Sequence, residues 1–246
     1  MVLTLINKSL FFIKISYKKN KQTMKIGIEL NHVIRDVNSQ ILKYFKKDIQ
    51  KDFDDKNINL NVSNFIETLP FKTKKQKNDF LYVDYPYEIF GCARTKHRNL
   101  ANSITQWEID LNNKDNGEKY DLVHFSLKEN ALTIQSSYYF LSKIGSRVRE
   151  AYFPTDGKDM WGICDVVITT DTRIARTKPE GKVCVLIKTS DNSNLEEYAD
   201  LVYNNILEVI NDDDFLVKVE SFRTPKKQNI VGKLTRKIKN IFNYGN

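Results

Sequence analysis

Glu29 and Asn31 stand two residues apart at the polar end of the segment MKIGIELNHVIRD, residues 24–36. The run before them, 25–30, has the composition of a buried strand, and a turn and a helix follow. The carboxyl end of such a strand is where open α/β sheets bind ligands. A carboxylate there can attack an electrophile, hold a cation with water, or simply end the strand. An amide at position 31 can donate and accept hydrogen bonds, or cap the next turn, but cannot exchange a proton. Ser126 ends the apolar run at 120–125, and Asp171 follows the run CDVVIT at 164–169. Glu29 and Asp171 are thus both carboxylates near the ends of apolar runs. Ser126 reads either as a phosphate ligand or as the cap of the next helix, and Asp171 equally as a turn residue. His32, His97 and His124 are scattered and read as structural. No C-x-x-C or H-E-x-x-H spacing occurs, and Cys92, Cys164 and Cys184 are too widely spread for a zinc site.

These groups need a sheet to position them. Strands are expected at 25–30, 120–125, 148–153, 164–169 and 182–187. Helices are expected at 37–50, with Val37, Ile41, Leu42, Phe45 and Ile49 facing the sheet, at 96–108, at 129–144 stopped by Gly145, and at 195–210. Strands alternating with helices predict an α/β domain, with a mostly parallel sheet between two helical layers. Residues 51–83 are polar and Lys-rich and read as a long connection. With the aromatic stretch of Tyr82, Tyr85, Tyr87 and Phe90, which packs or faces a partner, 51–117 forms an insertion or cap on a domain at 24–215.

The segment 24–36 resembles the first motif of the haloacid dehalogenase (HAD) superfamily, whose phosphatases carry Asp-x-Asp where this chain has Glu29 and Asn31. Ser126 stands at the place of the family's second motif. Residues 161–172 (WGICDVVITTDT) are similar to its fourth, where acidic residues hold magnesium, and Asp171 is nearest that position. Residues 133–152 are similar to the deoxyribonucleotidase-like branch, with small relatives in tailed (crAss-like) phages. The resemblance spans 24–50 and 118–210. It implies a three-layer, Rossmann-type HAD-like domain with a cap, a magnesium cofactor, an aspartyl nucleophile and an aspartyl acid/base. This chain departs from that set. Glu29 adds a methylene, and an ångström of misplacement costs on the order of 10² in rate. Asn31 removes general acid/base help worth roughly 10²–10⁴. Lys143 or Lys158 would have to replace the family's phosphate-neutralising lysine, and Lys178 lies on the wrong side of the fourth motif. Glu29, Asn31 and Ser126 are therefore read as vestigial, with no catalytic residue and no bound cofactor expected beyond a possible magnesium at Glu29 and Asp171. The expected function is a catalytically degenerate structural or assembly subunit, a phage virion or tail component. The alternatives are a magnesium-dependent nucleotidase or phosphatase, and a regulator that binds a nucleotide without turnover.

Charge is unevenly placed along the 246 residues. Residues 1–23 hold five Lys and no acid, and residues 216–246 hold eight Lys/Arg against one Glu, so the body at 24–215 carries −4 of the net +8. Basic arms on an acidic body predict docking to other protein subunits, with nucleic acid as a further acidic partner. In the arm at 216–246, Val231, Leu234, Ile238 and Ile241 recur at helical spacing, with Lys233, Arg236, Lys237 and Lys239 on the polar side. Residues 1–23 form an extension or arm, unless Met24 is the natural start. Lys8 interrupts their short apolar run, which lacks a basic n-region and a small-residue cleavage site, so neither a membrane span nor a signal peptide is expected. Unpaired cysteines fit a reducing interior, in a virion or the host cytoplasm.

Overall fold

The computed structural model describes residues 23–113 and 119–223. The expected N-terminal arm and the amphipathic tail helix lie outside the described residues. The strands within them are β1 (Met24–Glu29), β2 (Arg35–Asp36), β3 (Arg94–Thr95), β4 (Tyr120–Phe125), β5 (Glu150–Tyr152), β6 (Val166–Thr169), β7 (Val183–Ile187) and β8 (Leu201–Tyr203). The helices are α1 (Val37–Asp48), α2 (Lys74–Asp79), α3 (Leu100–Asn113), α4 (Ala131–Ile144), α5 (Met160–Ile163), α6 (Thr172–Arg176), α7 (Ile206–Ile210) and α8 (Phe215–Arg223).

Six strands make one parallel sheet in the order β5-β4-β1-β6-β7-β8, while β2 and β3 pair antiparallel as a separate ribbon. Parallel strands buried on both faces read as continuous apolar runs and require helices on each side. On one face Ile26, Ile28, Leu122, Val166 and Val185 meet Leu100, Ile104 and Trp107 of α3, Phe140 of α4, Val209 of α7 and Phe215 and Val219 of α8. On the other, Val123, Phe125, Val167 and Cys184 meet Met160 and Trp161 of α5 and Ile174 of α6. The fold is the expected three-layer α/β arrangement. β1 lies at its centre, and the chain leaves it toward opposite edges, so its carboxyl end is the switch point. Gly27 keeps β1 flat against its neighbours, since a Cβ there would stand 2.8 Å from Cys164 Sγ. Gly145, at φ 71°, ends α4 in the left-handed conformation, as the sequence predicts, whereas its N-cap is Asn130 and not Ser126.

Several boundaries differ from expectation. Helix α1 forms, but its apolar face does not reach the sheet. Val37, Ile41 and Phe45 pack with Phe65, Leu69, Phe80, Ile89 and Phe90 in a second core. The stretch read as a connection supplies this cap, in which Phe53 and Phe71 each meet Phe45 edge-on at 5.1 Å between ring centroids. The insertion therefore begins at α1 and ends before α3, whose apolar side belongs to the sheet core. The helix expected at 195–210 is broken into a 3-10 turn (Ser193–Tyr198), β8 and α7. Asp200 causes the break: its N–H donates to Cys184 O and its carboxylate accepts the Cys184 N–H, drawing the chain onto the sheet edge. Residues 216–223 belong to α8, where Leu216 and Val219 are buried, so they are part of the domain and not of a free arm. Among the described residues no helix is long and apolar enough to cross a membrane.

Candidate functional site

The turn after β1 is tightly wound. Leu30 N–H donates to Phe125 O, Leu30 O accepts from the N–H groups of Ile34 and Arg35, and His32 adopts φ 67°. This winding brings Glu29, Asn31 and Arg35 to the carboxyl edge of the sheet, between the ends of β4 and β6.

Glu29 is 5% exposed. Its Oε2 accepts from the Thr169 hydroxyl (2.7 Å), the Thr170 N–H (2.9 Å) and the Thr170 hydroxyl (3.3 Å). Burial raises its pKa to about 7, aided by the charge of Asp171 and opposed by the Thr169 and Thr170 donors. At neutral pH the carboxyl group is thus divided between an acid and an anion.

The Asn31 amide is held at both its oxygen and its nitrogen. Arg35 has only donors, so the amide oxygen faces it, accepting from Nε (2.9 Å) and Nη2 (2.6 Å), and the amide nitrogen donates to Ser126 Oγ (3.1 Å). Ser126 is buried and does not cap α4, because Asn130 does. Arg35 is 0% exposed, and its remaining N–H groups go to Glu129 (2.8 Å), Phe90 O (3.0 Å) and Ser137 Oγ (2.7 Å). The Glu129 side chain is only 1% exposed. Neither Arg35 nor Glu129 was a candidate from sequence; a lone arginine inside the apolar run VIRDV was the available signal.

Asp171 caps α6, accepting from the Arg173 N–H at 2.9 Å, and the Arg173 guanidinium closes on both its oxygens, with Nη2–Oδ2 at 2.6 Å. Beside it opens a cleft of about 360 Å³, with Lys128, Lys158 and Arg173 against Asp156 and Asp171. Of the candidate lysines, Lys158 reaches this cleft and pairs with Asp156 at 3.2 Å. Lys143 instead donates to the carbonyls of Gly91 (2.8 Å) and Ala93 (2.7 Å), bolting the exit of the cap. Lys178 pairs with Asp200 at the far side of the sheet. His124 is a core residue whose Nε2 lies 2.9 Å from Ser146 Oγ, and burial lowers its pKa to about 4.

Magnesium seeks about six oxygen ligands at roughly 2.0–2.1 Å. Glu29 and Asp171 lie at one edge of the sheet, but Glu29 Oε2 is taken by threonine donors and both Asp171 oxygens by Arg173. Among the described residues no three His, Cys, Asp or Glu side chains gather to hold a metal. As arranged, these side chains do not fit the ion.

No family model matches the sequence, and no curated protein matches it. Among solved structures, the chain is similar to a haloacid dehalogenase-like hydrolase from Burkholderia xenovorans. The likeness covers 79% of this chain and 99% of that one, at 11% identity and a TM-score of 0.48. The strand order β5-β4-β1-β6-β7-β8 and its parallel pairing define the fold.

Proposed function

We propose that this chain is a HAD-like domain without phosphatase turnover, serving as a binding or assembly subunit. The Asn31 amide carries this reading. Both polar atoms of the amide, at the position where the family keeps its acid/base, are held in an Arg35–Ser126 frame, and an amide there has no proton to exchange. Glu29 adds to it. A carboxylate nucleophile must be ionised, whereas burial shifts Glu29 toward its protonated form, with a pKa of about 7, and three donors hold its Oε2. The basic terminal segments and the resemblance to phage proteins support a place in a larger protein assembly, such as a virion or tail.

The cleft favours a second reading, in which an anionic group is held without being cleaved. Lys128, Lys158 and Arg173 outnumber Asp156 and Asp171 there. Hydrolysis with magnesium would require Arg173 to leave Asp171. A magnesium-dependent assay on nitrophenyl phosphate and nucleoside monophosphates separates these readings, with calorimetry using inorganic phosphate beside it. Turnover at background is expected. Turnover that disappears in Glu29→Ala would overturn the proposal, and phosphate binding that weakens in Lys158→Ala would select the anion-binding form.

A further inference from the structure

The cap is fastened to the sheet body at two edges of unlike character. At the first, the buried Arg35 guanidinium joins Phe90 O of the cap to Asn31, Ser137 and Glu129 of the body. At the second, a strap at 59–63 crosses to the loop after β7. Ser63 donates its N–H and hydroxyl to the Asp191 carboxylate (2.9 and 2.6 Å), Ser190 N–H donates to Asn61 O (2.7 Å), and the Asn59 amide donates to Ser190 Oγ (2.7 Å). Asn38 of α1 ties the strap to the cap, donating to Leu60 O and Val62 O, both at 2.8 Å. Breaking the first edge would take from the buried Arg35 the Phe90 carbonyl and the Phe90 ring 5.1 Å from it. At the second, the Ser63–Asp191 and Asn59–Ser190 bonds are exposed, and water can replace them.

The loop that receives the strap is also joined to Glu29. Glu29 accepts the Thr170 N–H (2.9 Å), Thr170 O accepts from the Asn192 amide (3.2 Å), Asn192 Oδ1 accepts the Thr189 N–H (2.8 Å), and Thr189 Oγ1 donates to Asp191 (2.6 Å). Thr170, Thr189 and Asn192 are each 5% exposed or less, so water does not readily substitute along the path. We propose that the strap and Asp191 form a releasable latch on the cap, and that Thr170, Asn192 and Thr189 pass the state of Glu29 to it. The cap then pivots on the Arg35–Phe90 edge and opens at Asp191.

Amide hydrogen exchange on the full chain, read by mass spectrometry, tests both parts without any activity assay. Its failure and a failure of the functional reading are therefore distinguishable. Asp191→Ala is expected to speed exchange at 59–66 on the order of tenfold, with β1, β6 and β7 unchanged. Glu29→Gln and Thr189→Val, the second of which cuts the path without touching Glu29, should speed the same segment. Neither should add fully to Asp191→Ala. Unaltered strap exchange in Asp191→Ala would overturn the latch. A strap indifferent to Glu29→Gln, or strictly additive effects, would overturn the coupling. Strand exchange in every variant shows whether the body has stayed folded.

Discussion

Glu29 binds its proton more tightly in the fold than in the unfolded chain, and that has a sign. Its pKa rises from 4.5 to about 7, so the folded state holds the extra proton between those values. The stability from this protonation is present below pH 4.5 and is lost as pH rises toward 7, on the order of 3 kcal/mol across the window. Urea unfolding of the wild type and Glu29→Gln at stepped pH should show a difference that changes by about that amount; a constant difference would contradict the buried site. His124 has the opposite sign. It stays neutral in the core, so its contribution is present above pH 6.5 and is lost as pH falls toward 4. His124→Gln should lose that part of the acid sensitivity. The Arg35–Glu129 pair predicts a third outcome. Arg35→Met should cost about 3–5 kcal/mol, because Glu129 is left buried and unpaired, and Glu129→Leu added to it should recover much of the loss. Glu29, Asn31, Ser126 and Asp171 were legible because strand ends can be read from an apolar run. The Arg35–Glu129 pair was not, because its partners lie 94 residues apart and only the fold brings them together.

Among the elements, β1, β4 and β7 and the stop of α4 were readable within a residue or two. Each is a dense apolar run or carries its own cap. The cap was not readable. Its core is built from irregularly spaced aromatics that match neither helical nor strand periodicity, and α1 is amphipathic whichever core it faces. Phe45 is fully buried at the centre of that unit. Phe45→Ala should cost about 3–5 kcal/mol within the cap. Because Trp107 and Trp161 both lie in the sheet body, tryptophan emission should barely change while proteolysis within 51–80 accelerates. A simultaneous shift in emission would mean that cap and body unfold together.

The molecule as a whole is a three-layer body carrying a cap over one end, and the last described helix completes the body. Truncation after Asp214 removes the buried Phe215, Leu216 and Val219 and should lower the melting temperature steeply or prevent folding, whereas truncation after Arg223 keeps these core residues. Sizing of these two forms with assembly partners then separates a docking role for 224–246 from simple loss of the core. The β2–β3 ribbon has a different implication. Asp36 and Arg94 are register partners, so the chain departs for the cap and returns from it across one strand spacing, about 5 Å. In terms of protein evolution, the ribbon is a socket. A foreign domain whose termini lie that close could be spliced in without reshaping the sheet, and the present cap could be exchanged by recombination while the body is inherited intact.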